Sequence, residues 1–401
     1  MRSIRGTRFS LFTPFKKAHH LPSNWTDSDS VSNADSRPRI YYLNTSLPIQ
    51  DRRGDFDTLW HDINGNSGNG YIAWAVAKQL KIPNSINNGI RNIFKVSGNE
   101  LDRAAEQIER DYDAVFLFLQ DTMRADLHIE NSSALVEFIK RLKKPLVVFS
   151  LGCNSFDSLG PKKIFTSLDK SCKEFIEAIL DKAESVGVRG NLSGQVLDCF
   201  GSDKYAIVGC PTWYEEGPTR NLKQRSWDPT KGVAATGLFS NNAKIDIYYF
   251  LQSERSLVHA LLTGRKIRDI DDMAIDHQYP FHAECLLNSI SKEQVFFFID
   301  PEAWKRRLQE VANIAIGTRV HGSIIAINAG IPAICTNGDS RAREMCDLFK
   351  IPLLPGACFY DMNVEKIFDE FPFEKINREY NKLYANYENW LSLTLDKIIA
   401  V

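Results

Sequence analysis

The sequence predicts an α/β protein of two doubly wound, Rossmann-like domains that face each other across a cleft. Three observations carry that expectation. The chain has 401 residues, which suits two domains that each enclose a core. Short apolar runs, each closed by a glycine or a polar turn, alternate with helical segments, as in parallel strands joined by crossover helices. The stretch from Ala312 to Met345 condenses the pattern into strand, tight turn, buried helix, strand, tight turn, helix. Ile314 to Ile316 are an apolar run ended by Gly317, and Ser323 to Ala329 are apolar nearly all round, so that helix lies inside the protein. Gly330 supplies its left-handed stop, Pro332 blocks its continuation, and Ile331 to Thr336 form the next strand. Asn337-Gly338-Asp339-Ser340 then turn into a capped helix.

Composition narrows the function classes. With 43% hydrophobic and 25% charged residues the chain is an ordinary globular protein. Its net charge of −1 gives it no general affinity for nucleic acid or acidic polymers. The eight cysteines are scattered, without CxxC pairs or metal-ligand spacing, and read as thiols in a reducing, cytoplasmic compartment. No His/Cys/Asp cluster stands at ligand spacing, so neither a metal nor a cofactor is expected.

In chain order, residues 1–38 form a flexible arm. Its first part is basic (Arg2, Arg5, Arg8, Lys16, Lys17) without the apolar core of a signal peptide or membrane span. Such an arm offers a peripheral contact to the inner face of an anionic membrane. Residues 39–205 make the first domain. Its first strand is Arg39 to Leu43, and its Gly/Asn-rich turn (Gly65, Gly68, Gly70) leads into an amphipathic helix. The buried run from Ala114 ends in a polar turn, Asn131 to Leu142 is a helix, and the run from Pro145 is a strand with a glycine turn. Lys173 to Ala183 is a helix, followed by a strand that opens at Arg189, then a last strand and an exit loop through Pro211. Residues 206–360 make the second domain. It begins with the runs at Ala235 and Lys244, passes a charged stretch whose His277 and His282 read as surface residues, and leads through Val295 to the unit at Ala312. Asp300 and Glu302 read as helix-capping residues. Residues 361–401 hold an aromatic-rich helix, Lys366 to Leu393, that packs back on the first domain.

Parallel strands end on one side of a sheet, and ligands sit in the crevice beyond their carboxyl ends. There the first turn of the Ala312 unit places Thr318, Arg319, His321, Gly322 and Ser323, and the second places Asp339, Ser340, Arg341 and Arg343. Helix N-termini offer free amide protons, and Arg319 and Arg341 make the site one for a dianion such as a phosphate or carboxylate. His321 is of the type that exchanges a proton near neutral pH. Arg189 is a third basic candidate, and Asn66, Gly68 and Asn69 mark the opposite wall.

The stretch T-R-V-H-G-S-I-I-A-I-N-A-G-I-P-A-I resembles the C-terminal signature of the polysaccharide pyruvyltransferase family, R-x-H-(G/A)-x-x-x-(A/S)-x-x-x-G-x-P-x-(I/V). Arg319 and His321 match the family's Arg and His. N-G-D-S-R resembles its Y-D-P-K segment, with Arg341 where the family has lysine. Arg189 and Ser193 match its Arg-Asp-x-x-Ser element, with Gly190 in place of Asp, and Gly68-Asn69 stands for Gly-Asp in its N-terminal G-N-x-G-D.

The resemblance implies a glycosyltransferase-B-like arrangement. It also implies transfer of pyruvate from phosphoenolpyruvate to two hydroxyls of a sugar in a polysaccharide or its precursor, which gives a cyclic ketal and phosphate. His321 and Arg319 are then the catalytic candidates. Arg189, Thr318, Gly322, Ser323, Asp339, Ser340 and Arg341 are the donor-binding candidates, and Asn66, Gly68 and Asn69 the acceptor-binding ones. Two other readings stay open. A sugar-nucleotide glycosyltransferase would hold a diphosphate on the same helix N-termini, and a non-catalytic relative would bind a glycan or anion without turnover.

Overall fold

The computed structural model describes residues 38–45, 56–80, 90, 92–155, 159–237, 245–264, 292–355 and 362–399. The basic arm, His277 and His282 lie outside the described residues. Among the described residues ten strands fall into two parallel five-stranded sheets with helices around them, an α/β architecture.

The first sheet starts with β1 (Ile40–Leu43), followed by α1 (Phe56–Asp62), α2 (Ser67–Leu80) and α3 (Gly98–Asp111). Then come β2 (Ala114–Phe118), α4 (Ser132–Arg141), β3 (Leu146–Leu151), α5 (Pro161–Ser167) and α6 (Lys170–Lys182). It closes with β4 (Val186–Val188), α7 (Asn191–Asp198) and β5 (Tyr205–Ile207). The strands lie side by side in chain order. β2 and β3 are buried along their whole length, because helices cover both faces of the sheet. Alternate side chains divide accordingly: Tyr42, Phe116 and Phe149 join the cluster that holds α2, while Val115, Leu117 and Val148 join that of α3, α4 and α6. A capping box between Ser97 and Glu100 starts α3.

The chain crosses to the second sheet through a 3₁₀ turn, Pro211–Tyr214. That sheet contains β6 (Gly232–Thr236), β7 (Ile247–Leu251), α8 (Arg255–Thr263), β8 (Val295–Phe297) and α9 (Pro301–Val311). β9 (Ala312–Gly317), α10 (Val320–Asn328), β10 (Ala333–Cys335) and α11 (Ser340–Phe349) follow. Its order is β10-β9-β6-β7-β8, so the winding direction reverses between β6 and β9. A crevice opens at such a switch point. Gly330, with φ of +73°, ends α10 as its sequence position requires.

Two elements differ from the sequence reading. α2 is not amphipathic: Tyr71 to Ala77 are buried without interruption, because the helix is wedged between the first sheet and the crossover. Tyr71 Oη donates to Thr212 O at 3.5 Å, and Gln79 Nε2 to Pro211 O at 2.9 Å. The C-terminal aromatic helix is two helices, α12 (Val364–Asp369) and α13 (Phe373–Ile399), split before Pro372, which disfavours helix at the residue ahead of it. α13 lies against the first sheet: Trp390 meets Phe149 edge-on at 5.3 Å, and Asn386 Nδ2 donates to Ile207 O at 2.8 Å. One apolar cluster runs from Tyr42 and Phe149 through Trp213 to Phe250 and Ala315, so the two sheets share a core. Among the described residues no helix is long and apolar enough to cross a membrane.

Trp390 is 3% exposed within that shared core. Trp390→Ala is expected to lower the unfolding free energy by about 3–5 kcal/mol in urea titration, the usual cost of an aromatic-to-alanine cavity. A loss below about 1 kcal/mol would show that α13 is not docked as described.

Candidate functional site

Loops at the carboxyl ends of strands from both sheets enclose a cavity of about 250 Å³. The first sheet contributes Gln120 and Asp121 after β2, Arg189 after β4, and Asn66 and Asn69 at the start of α2. The second contributes Gln252 and Ser253 after β7, Arg319 and His321 after β9, and Arg341 with Met345 from α11.

Charge dominates this wall. Arg341 donates through Nη1 to Asp121 Oδ2 at 3.3 Å and through Nη2 to Asp339 Oδ2 at 3.0 Å. Asp339 also caps α11, accepting from Ala342 N at 2.7 Å, so one carboxylate fixes both the helix and the arginine it presents. Burial alone would raise the Asp121 carboxyl, but Arg341, Arg189 and Arg124 outweigh it and hold Asp121 below the usual range. Arg189 is 1% exposed, and burial pushes its pKa down from the ordinary guanidinium value, although Asp121 and Glu344 oppose the shift. Its Nε and Nη2 make no hydrogen bond with protein. The same holds for Arg341 Nε, Gln120 Nε2 and Gln252 Nε2. All of these are donors. Among the described residues, no buried side-chain acceptor on the cavity wall is left unpartnered.

His321 stands at the first turn of α10, half-buried, with Nε2 3.4 Å from Cys210 Sγ. Burial, then Arg189 and Arg341, push its pKa from 6.5 down to about 3, with only Asp121 working the other way. The free protein therefore holds a neutral imidazole at neutral pH, which differs from the sequence expectation. Burial accounts for most of the difference, and Arg189 and Arg341 add to it. On its other side His321 meets α2: a Cβ on Gly68 would lie 2.7 Å from His321 Nδ1. Gly68 thus lets the α2 terminus close on the imidazole and is not itself part of the cavity wall.

The structure brings Arg189, Arg319, His321, Arg341, Asn66 and Asn69 together, and places the other candidates behind them. Arg319 donates through Nε and Nη2 to Glu254 Oε1 at 3.1 and 2.7 Å. Glu254 is itself fixed, since its Oε2 accepts from Gln252 N at 2.7 Å and Ser253 N at 3.1 Å. Arg319 is accordingly a braced residue of the wall. Gly322 is closely packed, since a Cβ there would stand 2.5 Å from Thr236 Cβ, and it does not line the cavity. Ser323 is buried in α10, its N–H donating to Arg319 O at 3.1 Å, and Thr318 lies against Gly237. Ser340 ties the sheets together: its Oγ accepts from Ser155 N at 2.8 Å and its N–H donates to Ser155 O at 3.0 Å. Asp300 caps α9, whereas Glu302 pairs with Lys78 at 3.2 Å and Lys305 at 3.1 Å. Neither borders the cavity.

Residues missing from the sequence reading include Gln120 and Asp121, the polar pair that closes the apolar run of β2. Gln252-Ser253-Glu254 play the same part after β7. Both carried a signal in that position. Cys210 and Glu344 carried none. Burial pushes Glu344 up to about 7, while Ser193 and Arg189 pull it down. Among the described residues no group of three or more His, Cys, Asp or Glu side chains is placed to hold a metal ion.

A sequence model of the family described as polysaccharide pyruvyl transferase matches residues 66–340, and the chain belongs to that family. No curated protein matches it in sequence. Among solved structures, Staphylococcus aureus MnaA in a co-structure with UDP is similar at 9% identity, covering 90% of this chain and 97% of that one, with a TM-score of 0.43. A Methanocaldococcus jannaschii UDP-GlcNAc 2-epimerase, in complex with UDP-GlcNAc and UDP, is similar at 12% identity over 87% and 99% of the two chains, with a TM-score of 0.40. Anabaena Alr3699/HepE, in complex with UDP and glucose, gives 12% identity over 91% and 98%, with a TM-score of 0.37.

The depressed His321 has a measurable linkage. Between pH 6.5 and about 3 the unfolded chain binds a proton that the folded protein refuses, so this contribution to stability is complete above 6.5 and is lost as the pH falls. Unfolding free energy of the wild type minus that of His321→Asn is therefore expected to rise with pH across this window, by at most about 1.4 kcal/mol per pH unit. A difference that does not change with pH would contradict the neutral imidazole.

Proposed function

We propose, from membership of that family and the chemistry of the cavity, that the protein transfers pyruvate from phosphoenolpyruvate to two hydroxyls of one sugar residue. The products are a cyclic ketal and inorganic phosphate. The observation that carries this reading is the excess of unmatched donors: three arginines line the cavity with one carboxylate, Asp121, and its buried unpartnered side-chain atoms are all donors. Such a wall suits a small ligand with a carboxylate and a phosphate, since charge-assisted hydrogen bonds to fixed guanidinium groups are strong and directional. Size supports the same choice. A cavity of about 250 Å³ falls below the roughly 300–1,000 Å³ usual for drug-sized ligands, and among the described residues its lining has no Phe, Tyr or Trp on which a nucleobase would stack.

In this reading Arg189 and Arg341 bind the donor's anionic groups, and the amides of Gln120 and Gln252 complete the set. A dianion placed between the two arginines cancels their share of the shift that burial begins, so donor binding raises the His321 pKa toward the value useful for proton transfer. Protonated His321 gives its proton to C3 of the enol as a sugar hydroxyl oxygen adds to C2, and then takes that hydroxyl's proton. A second hydroxyl of the same sugar attacks C2, the bond between C2 and the phosphate oxygen breaks, and phosphate leaves with the electron pair. The second hydroxyl's proton passes through His321 to the leaving phosphate. Arg319, braced by Glu254, stabilises negative charge as it develops. Asn66 and Asn69 face the acceptor. No metal or cofactor takes part, and a cytoplasmic site of action, where phosphoenolpyruvate is available, belongs to the same proposal.

His321→Ala is expected to lower sugar-dependent phosphate release from phosphoenolpyruvate by about 10²–10⁴-fold while the fold persists by circular dichroism. Near-normal turnover would remove His321 from the mechanism. Arg341→Met is expected to raise the KM for phosphoenolpyruvate roughly 10- to 100-fold, the loss of a charge-assisted hydrogen bond. Arg341→Lys, which keeps the charge, is expected to lose less.

A further inference from the structure

α7 begins without a cap of its own. Gly190 occupies the N-cap position and has no side chain to meet the first amide protons of the helix. The acceptor comes from the other sheet. Glu344, on α11, accepts from Ser193 N through Oε2 at 3.0 Å and from Ser193 Oγ through Oε1 at 2.6 Å. Ser193 N is the third amide of the helix, the one that an N-cap aspartate or asparagine commonly satisfies. Ser193 Oγ in turn accepts from Cys153 N at 3.0 Å, which ties the loop after β3 to the same point.

The glycine at 190 is explained by the same contact. Its φ of −176° is extended backbone that any residue adopts, so conformation does not require glycine there. Space does: a Cβ would stand 2.7 Å from Glu344 Cβ and 2.8 Å from Glu344 Oε2. The carboxylate of α11 therefore occupies the volume that a capping side chain at 190 would fill. Arg189, the most enclosed cation of the cavity, is the residue immediately before this cap. Arg341 and Glu344 lie three residues apart on α11, one turn of the same helix. The first reaches Asp121 and the second reaches α7, so both contacts cross between the sheets.

We propose that Glu344 is a positioning residue: its carboxylate serves as the N-cap of α7 in place of a side chain at 190, and thereby holds Arg189 in register with Arg341 across the cavity. The inference deepens the proposed anion site and rests on it. The cap itself stands on the two Ser193 contacts alone.

The test relocates the carboxylate. Glu344→Gly removes the acceptor, and Gly190→Asp/Glu344→Gly returns one from the α7 side into the space so opened. Two readouts are followed, amide hydrogen exchange of residues 191–198 and the affinity for phosphoenolpyruvate, with inorganic phosphate as a second probe. Glu344→Gly is expected to speed exchange in α7 and to weaken phosphoenolpyruvate binding roughly tenfold, and the double variant to recover both to within about threefold of wild type. Glu344→Gln keeps the side chain's shape and replaces one acceptor oxygen with a donor. It is expected to shift both readouts in the same direction, which covers the case in which glycine at 344 unsettles α11. The proposal is overturned if Glu344→Gly leaves exchange and affinity unchanged, or if the double variant binds no better than the single. If the wild type binds neither probe, the anion-site reading fails, and exchange in α7 with its recovery still decides the cap.

Discussion

Enclosing a guanidinium while leaving donor nitrogens unpaired is unfavourable, and the site is organised around one residue held that way. Arg189 sits at the end of β4 with Nε and Nη2 unmatched by protein. A buried cation of this kind persists only where its surroundings over-determine its position. Here the strand end fixes its backbone, with Arg189 N–H donating to Leu151 O at 3.0 Å, and Asp121 and Glu344 lie close enough to offset its charge. The consequences spread outward. Arg341 faces the same cavity, so Asp121 and Asp339 are recruited to hold a second cation near the first. His321, buried near both, stays neutral in the free protein down to about pH 3. The site is thus preorganised for negative charge before any ligand arrives, which is how a binding cavity avoids the cost of rearranging dipoles during a reaction.

That preorganisation also gives the proposed chemistry an order. An imidazole kept neutral by burial and two guanidinium groups is a poor acid until a dianion offsets them, so in the proposed mechanism the proton carrier becomes competent with the donor in place. Premature protonation is disfavoured by the same field that attracts the donor. The proposed acceptor side has no comparable charge. Asn66 and Asn69 belong to the turn and first residues of α2, where Asn66 Oδ1 accepts from Gly68 N at 2.8 Å and Asn69 Nδ2 donates to Asn64 O at 3.2 Å. Neutral amides of this sort match sugar hydroxyls better than phosphates.

The sequence showed local features well and distant partners poorly. Gly317, Gly330 and Pro332 punctuate the chain at fixed places, so the order strand, helix, strand, helix from Ala312 to Met345 was legible to within a few residues. Arg189, Arg319, His321 and Arg341 were legible as cavity residues because each follows the carboxyl end of a strand or opens a helix. What each one touches was not. Glu254 lies far from Arg319 in sequence, and only the side-by-side placement of β7, β6 and β9 brings them together. The pKa of His321 depends on Arg189, which belongs to the other sheet. The glycines show the same dependence on distant neighbours. Gly68 and Gly322 stand where a ligand-binding loop would have glycine, yet the close neighbours that exclude a side chain are His321 and Thr236. α2 looked amphipathic because its polar residues, seen alone, imply a solvent face, whereas Gln79 is taken up by the crossover at Pro211.

The central claim is that this cavity is built for a small dianion and that Arg189 is its anchor. Isothermal titration of phosphoenolpyruvate and of a nucleoside diphosphate into wild type and Arg189→Met tests it most directly. The account expects phosphoenolpyruvate to bind the wild type, the nucleoside diphosphate to bind far more weakly, and the phosphoenolpyruvate signal to fall at least roughly tenfold in the variant. Tight binding of the nucleoside diphosphate with none of phosphoenolpyruvate, or phosphoenolpyruvate affinity unchanged in Arg189→Met, would contradict it.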